Sequence, residues 1–297
     1  MTLDDIRRIA VIGAGQMGSQ IAMQAALHGY EVALHDITTA QLDKALAGNR
    51  TQLDRRVEKG KLAAADRDAA LGRVRPTTSL EDAAAGADFV IEAVVEKLED
   101  KKQVFTRLDQ AAPPHAILAT NSSYIGNSQL AGVTARPDKV VNMHFFFPPL
   151  VMRLVEVVKG AQTSEETVEI TAGLARRIGR EPVVLRKELP GFLVNRILRA
   201  IQAEAYFLLE NGVASLADID KAAELGLNFP LGPFKLSDFS GLDIGYYSRL
   251  DRYRETQNPA DLPPRALRVR VERGDLGRKT GKGFYDYSTD PPTPTGE

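Results

Sequence analysis

Arg8-Ile9-Ala10-Val11-Ile12-Gly13-Ala14-Gly15-Gln16-Met17-Gly18 begins as a short apolar run, breaks into glycines and continues as a helix. That order is the signature of a dinucleotide-binding turn. Gly13 permits the tight turn out of a strand, Gly15 lets backbone approach a pyrophosphate, and Gly18 lets the helix pack near the strand. The phosphates would meet the helix N-terminus at Gln16 and Met17, where unpaired amides and the positive dipole end favour an anion. Downstream, Ile21, Ala22, Ala25 and Ala26 follow a helical period, and His28-Gly29 ends it. Glu31-Val32-Ala33-Leu34-His35 then reads as a second strand closing on Asp36. A carboxylate there accepts ribose hydroxyls, and no arginine follows in Ile37-Thr38-Thr39 to favour a 2′-phosphate. The expected cofactor is NAD rather than NADP. A βαβ unit without a nucleotide is the alternative reading of the same residues.

At 297 residues the chain suits two domains, and its 43% hydrophobic content is enough to build proper cores. It has no cysteine, which excludes disulfides and thiolate chemistry, and no metal is expected. With 38 basic against 39 acidic residues it lacks the basic excess of a nucleic-acid binder. No stretch approaches the ~18 consecutive apolar residues of a membrane span. The expectation is a soluble, cytoplasmic protein without a sorting signal.

Residues 38–59 read as a helix with Leu42, Leu46, Leu53 and Val57 on one side, and a second helix follows over 63–71, leading to Pro76. Arg55, Arg56, Lys59 and Lys61 cluster at the join, either as a solvated face or as a seat for a phosphorylated part of a substrate. Residues 87–94 form a buried strand by composition, followed by Glu96 and a polar helix to about Ala112. Ile117–Thr120 is a further strand, with Asn121, Ser122 and Ser123 at its carboxyl end, where doubly wound sheets bind ligands. Asn121 therefore joins the cofactor-binding candidates. Either serine can equally be read as a cap.

Lys139–Phe147 forms a strand ending in aromatics and two prolines, and Leu154–Val158 forms the next. His144 is the one histidine of four that lies inside such an apolar run. If the chain reverses between Pro148 and Met152, Glu156 comes beside His144. A base of near-neutral pKa supported by a carboxylate suits alcohol oxidation, in which a hydroxyl proton must leave. A satisfied core histidine is the other reading. After a helix over 165–178 and a strand over 182–185, Pro190-Gly191 marks a change to helices only. Asn195 lies in the first turns of a long helix starting near 191, as an exposed accident or a polar group turned toward the cleft between domains. Ser215 reads as an N-cap, and one helix is expected from Leu231 through Tyr247. Arg278–Tyr285 is a glycine-rich closing turn, like a phosphate loop only superficially. The fold class is thus α/β, a Rossmann-type, doubly wound, mostly parallel sheet over 1–188 with a helical hairpin insertion. A smaller all-α domain covers 189–288, and a disordered tail is expected over 289–297.

In order and spacing, GAGQMGSQIA, EAVVEKLEDKK, TNSS, MHFFFPP, LVEVVKG, LPGFLVNR, FPLGPFKLSDFSGLD and GRKTGKGFYDY resemble the 3-hydroxyacyl-CoA dehydrogenase family, which includes bacterial 3-hydroxybutyryl-CoA dehydrogenases. The resemblance runs from Ile9 to about Tyr287. It implies His144 as catalytic base with Glu156 as its partner, and Ser123 and Asn195 on the reacting oxygen or thioester of the substrate. It further implies Glu96 and Lys101 at the nicotinamide half of the cofactor cleft, and Lys59, beside Arg56, on coenzyme A phosphates. A homodimer through the helical domain is also implied. One departure stands out: Phe147 replaces the asparagine usual in this motif, removing its hydrogen bonds and adding bulk near His144. A dehydrogenase of a free hydroxy acid of gulonate or carnitine type, or a non-catalytic NAD-binding relative, is the competing reading.

Overall fold

The computed structural model describes residues 1–296 and separates into two compact units, Met1–Leu193 and Val194–Glu297. In the first unit, β1 (Arg8–Ile12), α1 (Gln16–Leu27) and β2 (Glu31–His35) form the opening βαβ unit. The pair α2 (Thr39–Glu58) and α3 (Ala64–Gly72) follows, then β3 (Val74–Thr77) and α4 (Leu80–Ala84). Next come β4 (Phe89–Glu92), α5 (Leu98–Ala111), β5 (Ile117–Thr120) and α6 (Asn127–Ala131). The unit continues with β6 (Val140–Phe145), β7 (Leu154–Val158), α7 (Glu165–Arg177) and β8 (Glu181–Leu185).

The eight strands lie in the order β3-β2-β1-β4-β5-β6-β7-β8, parallel except for the antiparallel β6–β7 pair. The doubly wound expectation holds. Alternation along each strand fills two cores at once. Ile9, Val11, Phe89 and Ile91 face one cluster, while Ala10, Ile12 and Val90 face the other. This is why these strands read as continuous apolar runs. Strand β3 was not anticipated, because Pro76 interrupts it; it is tolerated at the sheet edge, where one side of the strand needs no ladder donor. The five-residue helices α4 and α6 are too short to show a period.

The second unit contains α8 (Val194–Glu210), α9 (Leu216–Gly226), α10 (Pro233–Ser240), α11 (Leu242–Thr256) and α12 (Arg265–Arg273). It is not wholly helical: a two-residue ladder joins β9 (Tyr285–Asp286) to β10 (Thr293–Pro294). The unit boundary follows Leu193 rather than residue 188, and the single helix expected through Tyr247 is two, broken at Gly241. Buried Asp238 explains the glycine-rich closing turn. Its carboxylate accepts from the amides of Phe284 and Tyr285, each at 2.9 Å, and from the Tyr287 hydroxyl at 3.0 Å. The turn is therefore tied down by a side chain of α10 and serves packing. The tail expected to be disordered is instead placed through Gly296, by the β10 pairing and by Arg270, which donates to the Thr295 hydroxyl and the Gly296 carbonyl. Glu297 lies outside the described residues.

Candidate active site

The carboxyl ends of β1, β2, β4, β5 and β6 bring the site together on the first unit. Beyond β1, Gly13 has φ +104°, and a Cβ there would lie 2.6 Å from the Ala93 carbonyl oxygen. A Cβ at Gly18 would fall 1.8 Å from the Gly13 carbonyl oxygen, whereas one at Gly15 would meet nothing within 4 Å. Gly13 and Gly18 are therefore fixed by the protein's own packing, and Gly15 faces open space at the start of α1. The first turn of α1 has no side-chain cap, so its amides are suited to an anion. Asp36 accepts from the Ala14 amide at 2.8 Å, which ties the ribose-side carboxylate to the glycine turn. These features fit a dinucleotide.

The Gly18→Ala variant is expected to lose about 1–3 kcal/mol of stability from overpacking and to weaken NADH binding at least tenfold, because the Gly13 backbone cannot move aside. Gly15→Ala is expected to keep its stability within about 0.5 kcal/mol and to lose cofactor affinity alone. Thermal melts beside NADH fluorescence titrations separate the two cases. Equal melting losses would show that Gly15 is held by packing as well.

At the ends of β4 and β5 sits a network that the sequence reading did not find. Glu92 is fully buried and accepts from Lys101 Nζ at 2.6 Å, the Val94 amide at 2.7 Å and the Thr120 hydroxyl at 2.6 Å. Lys101 also pairs with Glu96 at 3.2 Å. The other oxygen of Glu96 accepts from the Ser122 hydroxyl, the Ser123 amide at 3.1 Å and the Tyr124 amide at 3.3 Å. Burial acts to raise the Glu96 carboxyl, but the Lys101 charge and these hydrogen bonds outweigh it and hold the group below its ordinary value. The resemblance assigned Lys101 to the cofactor cleft. Only 1% exposed and engaged by two carboxylates, it braces Glu96 and the Ser122–Tyr124 loop. The signal for Glu92 was present: an acid inside an apolar strand needs a partner.

His144 and Glu156 are directly opposed across the antiparallel β6–β7 pair. His144 is 4% exposed and Glu156 fully buried, with Nδ1 to Oε2 at 2.8 Å. A carboxylate only accepts, so Nδ1 carries the hydrogen and Nε2 presents its lone pair. Nε2 lies 3.0 Å from the Ser123 hydroxyl. The second Glu156 oxygen accepts from the Leu193 amide at 3.0 Å. Asn121 Oδ1 accepts from the Phe145 amide at 2.9 Å, pinning the end of β5 to β6. Phe146 and Phe192 pack edge-on to the imidazole, with centroids at 4.7 and 5.5 Å. Phe147 does not crowd the histidine: it is 57% exposed, and Phe146 is the neighbouring ring.

The first unit thus gathers Gly13, Gly15, Gly18, Asp36, Glu96, Asn121, Ser123 and His144 at the carboxyl ends of its parallel strands, with Glu156 beside His144. Gln16 is exposed and Met17 half-buried at the start of α1. Lys59 is exposed at the end of α2 and Arg56 half-buried in its last turn. Asn195 is half-buried in the first turn of α8, in the second unit. Among the described residues no helix is long and apolar enough to cross a membrane, and no group of three or more acidic or histidine side chains could hold a metal ion.

Residues 8–189 match the family model described as 3-hydroxyacyl-CoA dehydrogenase, NAD binding domain, and residues 191–287 match that of the 3-hydroxyacyl-CoA dehydrogenase C-terminal domain. A probable 3-hydroxybutyryl-CoA dehydrogenase of Bacillus subtilis is 40% identical over 283 residues, 95% of this chain and 98% of that protein. A 3-hydroxyadipyl-CoA dehydrogenase of Escherichia coli is 40% identical over 95% of this chain, which spans 59% of that longer protein. The crystal structure of (S)-3-hydroxybutyryl-CoA dehydrogenase from Ralstonia eutropha superposes with a TM-score of 0.88 at 40% identity, covering 96% of this chain and 100% of that one. With both domain matches in register along the two units, and near-full-length relatives at this identity, the chain belongs to the 3-hydroxyacyl-CoA dehydrogenase family.

Proposed function

We propose that the protein oxidises a short-chain L-3-hydroxyacyl-CoA, such as 3-hydroxybutyryl-CoA, reversibly to the 3-ketoacyl-CoA with NAD. The observation that carries this reading is the Ser123–His144–Glu156 line at 3.0 and 2.8 Å, at the strand ends that also hold the glycine turn. Bound at that turn, NAD supplies the hydride acceptor. His144 Nε2 takes the proton of the 3-hydroxyl, and the Glu156 carboxylate offsets the charge of the imidazolium that forms. Ser123 donates its hydroxyl to the reacting oxygen, held in place by the Glu96 brace. Asn195, two residues after Leu193 in the chain, is assigned to the thioester end, and Lys59 and Arg56 to the coenzyme A phosphates. Exposed apolar side chains on the second unit, Phe207, Ile244 and Tyr247 among them, support a homodimer through that unit. The working compartment is taken to be the cytoplasm.

The test is the rate of NADH oxidation with acetoacetyl-CoA, beside free acetoacetate and beside NADPH. Turnover with the thioester and NADH alone is expected. Turnover of the free acid, with none of the thioester, would overturn the assignment of the substrate and move the reading to a free hydroxy acid.

A further inference from the structure

Away from the reacting histidine, the first unit contains a cavity of about 290 Å³ lined by His28, Arg56 and Arg180, with leucines between them and no acidic residue on its wall. Arg180 follows the turn after α7 and is only 7% exposed. It donates to the Gly179 carbonyl at 2.9 Å and the Pro149 carbonyl at 2.5 Å, and its Nε has no partner. The charges acting on it besides burial are those of Arg56 and Arg153, both cations, and Arg153 has its own counterion in Glu181 at 2.7 Å. Among the described residues neither Arg56 nor Arg180 has an acidic side chain within 4 Å.

A guanidinium stays charged at any accessible pH, and burying one without a counter-charge is costly. Two carbonyl dipoles offset part of that cost. The C-terminal dipole of α2 accounts for Arg56 but not for Arg180, which lies on another element. His28 adds a third group. Its Nδ1 donates to the Gln24 carbonyl at 2.9 Å, which leaves Nε2 as the free nitrogen. That atom packs over Gly179, where a Cβ would come within 2.8 Å of it. Two forked cations around one small space match a tetrahedral oxyanion, and the outward lone pair of His28 Nε2 accepts the hydroxyl hydrogen of its monoprotonated form.

We propose that this cavity is an oxyanion seat that takes a phosphate group, completed by Arg180 and His28 beside Arg56. The phosphate belongs either to the coenzyme A part of the substrate, an identification that rests on the function proposed above, or to free inorganic phosphate.

The chain has four histidines, so the His28 ring resonance can be assigned with one His28→Asn spectrum. Titrating the intact protein with inorganic phosphate is expected to shift that resonance saturably. In Arg56→Gln and in Arg180→Gln the apparent Kd should rise at least tenfold. If the buried Arg180 variant does not fold, Arg56→Gln, at a half-exposed helix end, decides the matter. No saturable shift in the wild type, or an unchanged Kd in Arg56→Gln, overturns the seat. Displacement of phosphate by coenzyme A identifies the substrate as the source. Phosphate binding that coenzyme A leaves untouched identifies the free ion. Because the readout is phosphate binding and not turnover, the seat stands or falls separately from the dehydrogenase reading.

Discussion

Replacing His144 by glutamine is expected to lower kcat by about 10²- to 10⁴-fold while NADH binding is retained. The proton of the substrate hydroxyl needs an acceptor as the hydride leaves. Nε2 is the lone pair presented beside Ser123, because Glu156 holds the hydrogen on Nδ1. Glutamine preserves polarity and much of the volume between Phe146 and Phe192, but it has no nitrogen basic enough to take a proton. The cofactor turn and Asp36 lie just beyond the ends of β1 and β2 and, among the described residues, share no hydrogen bond with His144, so NADH affinity should change little. Single-turnover rates with acetoacetyl-CoA and NADH fluorescence titrations check the two halves. A rate within threefold of the wild type, on the order of 0.7 kcal/mol in the barrier, would remove His144 from the role of base.

What the sequence makes legible here is what local backbone rules determine. Gly13 and Gly18 are readable because a strand-to-helix turn leaves no space for a side chain at either, as their distances to Ala93 and to each other show. The opposition of His144 and Glu156 is readable because two strands joined by a short proline-containing turn must reverse, which sets the register across β6 and β7. The Glu92–Lys101–Glu96 brace is different. Its members come from β4, the loop beyond it and α5, and their meeting depends on which way side chains point once β4 and β5 are paired. No spacing rule announces that, although a lone acid in an apolar strand asks for it. Phe147 was misjudged for a related reason. Phe146 and Phe147 both lie beyond the end of β6, where no strand pleat sets their direction; Phe146 packs against the imidazole while Phe147 is exposed. The tail was misjudged because proline content speaks to local propensity, whereas β10 is held by pairing with β9 and by Arg270.

Glu156→Gln is expected to cost about 10³- to 10⁴-fold in kcat, close to the effect of removing the base itself, although only one oxygen is exchanged for an amide. Both oxygens of Glu156 accept: Oε2 from His144 Nδ1 at 2.8 Å and Oε1 from the Leu193 amide at 3.0 Å. A glutamine has one acceptor and one donor. If its oxygen faces His144, its NH₂ group confronts the Leu193 N–H, taking the acceptor from that part-buried donor at about 1 kcal/mol and loosening the segment that carries the chain toward Asn195. If its NH₂ group faces His144, Nδ1 must become the acceptor and the hydrogen moves to Nε2, so the imidazole arrives at the substrate without a lone pair. In the serine-protease triad, a different fold, the corresponding amide substitution costs about 10⁴ through the wrong tautomer. Either orientation also removes the negative charge that offsets the imidazolium. The two cases are separable by the nitrogen NMR shifts of His144 and by the melting temperature. A protonated Nε2 with an unchanged melting temperature identifies the tautomer switch, and a lowered melting temperature with Nδ1–H retained identifies the broken tie to Leu193. Turnover near the wild-type rate would mean that neither the charge nor the orientation set by Glu156 matters, and His144 would then have to be read as a satisfied core histidine.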